Sequence, residues 1–367
     1  MSGMRSVSRR LLRGVSRLNF ILLYYEILAV AMTIRVAVSG IPRGFQYPRD
    51  DLNWLQEKHI EQIKTISPEI ELVEIPADKV PTEPDFEVVF AEGGNRTHYH
   101  GELDWEDYQK FFTKSLKWVQ LCSTGFSDNI TPAVLDGSVT LTNAPGIHTM
   151  PIAESVVTAM LDHAKRLKQR RIDQRDRNWT QLKCDELYHR TVLIIGLGNI
   201  GQRTAKLCKA FDMRVIGTKR RVEPVNNVDL VFPVDELKDH LGEADYVVVA
   251  APLTPETRYM LKEPEFRAMK STCYFINIGR GAVANENALI KALDENWISG
   301  AYLDALEVEP LPVDHLFWGM ENVLLVPHDS HSSPYIGDRI VDIFCMNLER
   351  YVQGKPLSNI CDPRKGY

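Results

Sequence analysis

The chain predicts an α/β protein of two domains, each built on a doubly wound parallel sheet, and three observations carry that prediction. At 367 residues it is longer than a single hydrophobic core ordinarily serves. Short runs rich in Val, Ile and Leu recur along it and alternate with helical stretches, the pattern of strands covered on both faces by crossover helices. One such run, Val192 to Ile195, leads directly into Gly196-Leu-Gly198-Asn199-Ile200-Gly201 and then into a helix-like segment from Gln202 to Phe211. A glycine pattern of this kind carries little by itself, but between a strand and a helix it marks a Rossmann-like nucleotide-binding unit.

The elements follow in order. Residues 34 to 39 alternate as a strand, 51 to 66 have helical spacing, and 70 to 75 and 86 to 91 read as further strands. Residues 92 to 100 form a turn-rich loop, 107 to 115 a helix and 117 to 121 a strand, so the first part is itself a small α/β domain. Residues 151 to 169 make one long helix, with Glu154 early and Arg166 and Lys168 late, as the helix dipole favours. The second unit begins at Thr191, with strands at 192 to 195, 214 to 217, 230 to 232, 246 to 250, 274 to 278, 300 to 303 and 323 to 326. A last helix, 336 to 352, carries an apolar stripe (Ile336, Ile340, Ile343, Phe344, Leu348, Tyr351) that must bury, and the first domain is its expected partner.

Residues 1 to 32 stand apart. They carry five Arg and a single acid, Glu26, and turn apolar from Leu18 to Val30. Three readings stand: a mitochondrial-type presequence, a signal or anchor segment, or an upstream start. The apolar run is short and interrupted for a transmembrane helix. Met32-Thr-Ile-Arg-Val-Ala-Val-Ser-Gly40 reads as the natural opening of a first strand, so the extension is expected to be dispensable for the fold. The formal net charge is −6. An acidic body argues against a nucleic-acid partner. The six cysteines form no C-x-x-C pair and no metal-ligand spacing, which fits buried thiols in a reducing compartment and predicts no metal site. No membrane partner is expected, and the location expected is cytoplasmic, or mitochondrial if the extension is a presequence.

The glycine loop has a physical role. Gly196 permits the tight turn, Gly198 lets the backbone approach a pyrophosphate, and Gly201 lets helix and strand pack closely. Gly198, Asn199, Ile200 and Gly201 lead into the helix, whose N-terminus offers N–H groups to phosphate, and are the expected cofactor contacts. Where an NAD-binding unit often places an acid after its second strand, this chain has Lys219-Arg220-Arg221. Three cations match a 2′-phosphate and gain little from a 2′-hydroxyl, so the expected cofactor is NADP(H), with NAD(H) use also open. The bland alternative is a solvated basic edge.

Four downstream motifs occur in order: Pro252-Leu-Thr-Pro-Glu-Thr-Arg258, Asn277-Ile278-Gly279-Arg280-Gly281, Leu303-Asp304-Ala-Leu-Glu-Val-Glu309-Pro-Leu-Pro312 and Asn322-Val-Leu-Leu-Val-Pro-His328. Together they resemble the D-isomer-specific 2-hydroxyacid dehydrogenase family, of the glyoxylate/hydroxypyruvate reductase kind, from about Gln120 to Ser333. Ser123-Thr124-Gly125-Phe and Thr142-Asn-Ala-Pro-Gly146 are similar to that family's substrate loop and interdomain crossing; residues 33 to 119 match only in general pattern. The resemblance implies a substrate-binding domain of residues 33–145 plus 328–367, with an NAD(P)-binding domain, 146–327, inserted into it and the active site in the cleft between. It implies a homodimer formed through the cofactor domain, with Asp173 to Tyr188 as the arm. It also places Pro252 and Ile278 against the cofactor and Asp304 on the nicotinamide carboxamide.

Reducing a 2-oxo acid needs an anchor for the carboxylate and a proton for the ketone oxygen. Arg280 can pair with a carboxylate in a planar fork and polarise the ketone, and Ser123, Thr124 and Gly125 can offer backbone N–H groups. His328 is the acid/base candidate, since imidazole titrates near working pH, and Glu309 paired with it would orient the ring and stabilise its charged form. By resemblance these are the family's catalytic Arg, Glu and His, and a small 2-oxo acid would leave as a D-2-hydroxy acid. Glu307 competes with Glu309 for the carboxylate role. His98, His100, His315 and His331 receive no catalytic role; Arg96 or Tyr99 in the 92–100 loop would touch substrate. Two departures from the family stand out: Ser127 where an Asp is common, and Asp329-Ser330-His331 where small apolar residues follow the catalytic His. The alternative reading is a dinucleotide-sensing, corepressor-like scaffold with little turnover; formate or phosphite oxidation is a lesser one.

Overall fold

The structure is a computed structural model that describes residues 33–39, 55–75, 85–91, 112–126 and 129–364. Arg96, His98, Tyr99, His100, Ser127 and the N-terminal extension lie outside the described residues. Those that are described divide into two compact units: the chain up to Ile147 together with Pro334 onward, and His148–Ser333. His328 thus clusters with the second unit, where the sequence reading had opened the last segment of the first domain with it.

The first unit runs β1 (Ile34–Ser39), α1 (Glu57–Lys64), β2 (Ile70–Ile75), β3 (Val88–Ala91), β4 (Trp118–Leu121), α2 (Pro132–Leu135) and β5 (Thr140–Thr142), closed by α9 (Ile336–Val352). Its five strands lie in the order β2-β1-β3-β4-β5 and every pair is parallel. Of the helix expected over 107–115 only 112–115 lie among the described residues, and they are not helical: the Thr113 carbonyl accepts the Leu116 N–H in a turn, and the Glu87 carbonyl accepts the Lys117 N–H just before β4. Strand β5 has only three residues, too short to show in the sequence, and its Thr142 also bridges Ile360 near the C-terminus.

The apolar stripe of α9 buries as expected. Ile340, Val341, Phe344, Cys345 and Leu348 face inward, and the Phe344 ring stacks on Phe90 with centroids 4.0 Å apart and planes within 6°. A buried polar chain runs beside them. Trp118 Nε1 donates to Thr142 Oγ1 at 2.7 Å, that hydroxyl donates to Gln120 Oε1 at 2.8 Å, and Asn347 Nδ2 donates to the same oxygen at 3.1 Å. Satisfied polar groups of this kind select one register of β4, β5 and α9.

The second unit runs α3 (Thr149–Lys165), α4 (Leu167–Arg175), β6 (Thr191–Ile195), α5 (Asn199–Lys209), β7 (Arg214–Thr218), β8 (Leu230–Phe232), α6 (Leu237–Leu241), β9 (Tyr246–Val249), α7 (Glu263–Ala268), β10 (Tyr274–Asn277), α8 (Glu286–Asp294), β11 (Gly300–Leu303) and β12 (Val323–Leu325). Its seven parallel strands lie in the order β12-β11-β10-β9-β6-β7-β8. Every residue of β6, β9, β10 and β11 is buried. Successive side chains serve opposite faces. Leu193, Ile195, Val247, Val249 and Phe275 join one apolar layer with Phe266 and Leu289, while Val192, Ile194, Val248 and Ile276 join another with Val156, Met160 and Ala205.

Two boundaries differ from the sequence reading. The helix expected over 151–169 is broken at Arg166, which takes φ 55° and passes its N–H to Asp162 and His163 before α4 begins. A left-handed cap is usual for Gly or Asn, so an Arg there gives no signal. Helix α5 starts at Asn199, three residues early, because Gly198 is extended and serves as its N-cap. No residue of α4 is buried, and Trp179 beyond it is fully exposed. Among the described residues no helix is long and apolar enough to cross a membrane, no group of His, Cys, Asp or Glu is arranged to hold a metal ion, and all six cysteines are free.

Candidate active site

Because all seven strands of the second sheet run parallel, the loops after them leave from one edge. The strand order reverses between β6 and β9, and ligands of open α/β sheets bind at such a reversal. Gly196 turns there with φ 100°, and Leu197 N–H reaches across to the carbonyl of Thr218 at the end of β7. Gly201 sits where a Cβ would come within 2.2 Å of the Gly196 carbonyl oxygen, so the loop and the first turn of α5 touch backbone to backbone. A Cβ on Gly198, by contrast, would meet no protein atom within 4 Å. The open space at that N-cap, with the N–H groups of Asn199 and Ile200 behind it, fits a pyrophosphate. Gly201→Ala is therefore expected to push α5 away, destabilise the protein by about 1–3 kcal/mol and weaken NADPH binding at least roughly tenfold. A thermal melt and a nicotinamide fluorescence titration would check both.

The basic run after β7 is not uniform. Lys219 Nζ donates to Glu223 Oε1 at 2.6 Å, while Arg220 and Arg221 are exposed. Pro252 is exposed in the loop after β9, where its carbonyl accepts the Thr257 hydroxyl at 2.7 Å, and Ile278 is buried after β10.

Arg280 is held from both sides. Asn277 Oδ1 accepts the Gly279 N–H at 3.1 Å and Asn277 Nδ2 donates to the Arg280 carbonyl at 3.2 Å. A Cβ on Gly281 would lie 1.9 Å from the Leu306 carbonyl carbon, so the Arg280 loop abuts the loop after β11 directly. The guanidinium is exposed, with Nη1 donating to the Gly279 carbonyl at 2.8 Å.

The loop after β11 carries the carboxylates and sorts them. Glu309 Oε1 accepts the Leu306 N–H at 2.8 Å, and Glu309 Oε2 lies 2.7 Å from His328 Nδ1. Glu307 faces elsewhere: it accepts the Tyr259 hydroxyl and the Glu286 N–H, each at 3.1 Å, and so braces the start of α8. His315, set aside in the sequence reading, pairs with Glu286 at 3.0 Å. The hydrogen bond that His328 donates to the Glu309 carboxylate raises its imidazole above the ordinary value against the cost of partial burial, with the Glu309 and Asp304 charges adding to the rise and Arg280 opposing it. Burial pushes the Glu309 carboxyl up, but the His328 and Leu306 hydrogen bonds and the nearby Arg280 charge hold it below the usual range.

His328 itself adopts φ 53°, a left-handed conformation that costs a non-glycine residue on the order of 1 kcal/mol. The surrounding turn imposes it. Val326 N–H binds Leu303, His328 N–H binds Val326, and Ser330 N–H donates to Asp304 Oδ1 at 3.0 Å. Asp304 is buried, and its other oxygen accepts the Ser330 hydroxyl. In the first unit, Ser123, Thr124 and Gly125 follow β4. Asn143 Nδ2 donates to the Thr124 carbonyl at 2.6 Å, and Ser123 Oγ donates to Gly125.

The second unit thus brings Arg280, Glu309 and His328 onto loops that touch and leaves Glu307 out. Asn277 and Ser330, which hold these loops, and Asn143, which holds the loop after β4 in the first unit, were missed. Asn277 lay inside a motif already singled out, but only its two backbone partners reveal what it does.

Comparison with known proteins agrees with this architecture. The model of the NAD-binding domain of D-isomer-specific 2-hydroxyacid dehydrogenases matches residues 157–330. A glyoxylate reductase of Thermofilum pendens is 34% identical over 250 residues, covering 66% of this chain and 73% of its own. A D-isomer-specific 2-hydroxyacid dehydrogenase family protein of Aeromonas salmonicida superposes with TM-score 0.72 at 27% identity, over 90% of this chain and 99% of that one. An NADPH-dependent glyoxylate/hydroxypyruvate reductase of Sinorhizobium meliloti, solved with NADP and sulfate, superposes with TM-score 0.69 at 25% identity, over 91% and 100%. The glycine loop at the sheet's reversal and the relatives together define an oxidoreductase that uses a nicotinamide dinucleotide. The chain belongs to the D-isomer-specific 2-hydroxyacid dehydrogenase family.

Proposed function

We propose that the protein reduces small 2-oxo acids of the glyoxylate and hydroxypyruvate type to D-2-hydroxy acids, with a preference for NADPH. The observation that carries the reading is the His328–Glu309 contact at 2.7 Å on a loop beside that of Arg280. NADPH, when bound, supplies the hydride. The chain supplies the rest. Arg280 draws the substrate carboxylate and the ketone oxygen into its fork. His328 keeps Nδ1 on Glu309 and gives its Nε2 proton to the oxygen as charge develops there. Glu309 stabilises the imidazolium before the transfer and fixes the ring's angle. The relatives support the substrate class, since the two named for an activity act on glyoxylate or hydroxypyruvate.

Preference for NADPH follows from Arg220 and Arg221, which stand at the end of β7 where the adenosine ribose lies in units of this fold. Losing charge-assisted hydrogen bonds to a 2′-phosphate costs about 1.5–3 kcal/mol. The double substitution Arg220→Ser, Arg221→Ser is thus expected to raise KM for NADPH by about 10- to 100-fold and leave NADH kinetics nearly unchanged. Initial rates with each cofactor and a panel of 2-oxo acids test both halves of the reading. Turnover of glyoxylate or hydroxypyruvate supports it. Tight NADPH binding with no turnover on any acid would overturn it and favour the sensing scaffold.

A further inference from the structure

We infer that His331 is a positioning residue for His328, and that the side chains of His331 and His148 lock the left-handed turn that aims the catalytic imidazole. The inference rests on the reading of His328 as the proton donor and adds a member to its support. The observations are local. His331 follows His328 by three residues, and its imidazole hydrogen-bonds to the His328 main chain. Its ring also meets the ring of His148 edge to face, with centroids 5.1 Å apart. His148 precedes the long helix α3, whose Ser155 hydroxyl donates to the Ser330 carbonyl at 3.3 Å. The turn is therefore tied three times at two successive residues: Ser330 to Asp304, Ser330 to α3, and His331 to His328.

A residue at φ 53° relaxes when its surroundings let it. An imidazole donor on the His328 carbonyl removes that freedom in a way that small apolar residues, with no side-chain donor, do not. The charges around the pair are consistent with a donor that stays neutral. Burial lowers the His331 imidazole and the charge of His328 lowers it further, while Asp304, the hydrogen bond to the His328 backbone and Asp329 oppose them and leave the net direction downward. His328 faces Glu309, Asp304 and Arg280. Of the two rings, His328 is the one whose charged form is favoured, while His331 is held toward its neutral form. The bulky polar stretch Asp329-Ser330-His331 gains a purpose, since Ser330 serves Asp304 and His331 serves His328.

The test compares His331→Leu, which fills the space with no donor, and His331→Gln, which keeps an N–H donor but cannot ionise. Imidazole NMR titration of the full-length protein follows His328 directly, and steady-state kinetics follow its use. His331→Leu is expected to move the His328 titration down toward that of a free imidazole, because the ring loses its alignment with Glu309. It should also lower kcat about tenfold or more with KM for NADPH unchanged, and His331→Gln should restore both. An unchanged His328 titration in His331→Leu would overturn the inference, and so would a Gln variant as impaired as the Leu variant. The NMR arm needs no turnover. A wild-type protein inactive on every 2-oxo acid, with the titration still coupled, sinks the proposed reaction and leaves the positioning role standing.

Discussion

Replacing His328 by Ala is expected to reduce kcat for 2-oxo acid reduction by about 10²- to 10⁴-fold, the usual range for a general acid, with NADPH binding retained. Glu309→Gln is the more informative partner. In the wild-type protein Glu309 raises the His328 imidazole, so the protonated ring persists to higher pH than a free imidazole would. Reduction needs that proton. Its rate is therefore full below the raised value and falls as pH climbs through it, whereas the reverse oxidation needs the neutral ring and rises over the same interval. Gln keeps a hydrogen-bonding group but removes the charge, so the limb should move to lower pH and kcat should fall. Profiles of kcat against pH in both directions check this. A Glu309→Gln profile superimposable on wild type would remove Glu309 from the mechanism.

Arg280→Lys and Arg280→Ala form the second series. A lysine keeps the charge and loses the fork, which costs a bidentate carboxylate contact about 2–3 kcal/mol, or about 30- to 150-fold in kcat/KM. Alanine removes the anchor and the polarising charge together, and about 10³-fold or more is expected. The Arg280 charge also lowers the His328 imidazole. Removing it should therefore shift the pH limb upward, opposite to the shift in Glu309→Gln. Two substitutions that both lower the rate and move the same limb in opposite directions would be hard to explain by general misfolding. A wild-type KM for glyoxylate in Arg280→Ala would place the carboxylate elsewhere.

What was legible in the chain was what is local. The glycine loop declared itself because Gly196, Gly198 and Gly201 fall close together between an apolar run and a helical stretch, and the buried strands declared themselves as runs of apolar residues. The helix end at Arg166 and the start of α5 were misplaced by a few residues because the first depends on a left-handed cap without glycine and the second on how Gly198 turns. Strand β5 is a strand only because β4 lies beside it.

The amino-acid order by itself determined the two parallel α/β units, the nucleotide loop, the basic end of the second strand and the candidate trio. Each rests on residue type and spacing along one stretch of chain. Only the tertiary structure decided between Glu307 and Glu309, since both lie on one loop and the choice turns on Tyr259 and Glu286 claiming the first while His328 meets the second. It likewise decided that Lys219 is already paired and that His331 leans on His328. A side chain's role depends on the partner it meets. For Asp304 and Ser330, or Glu309 and His328, that partner sits some twenty residues away and is brought near only by the packing of parallel strands.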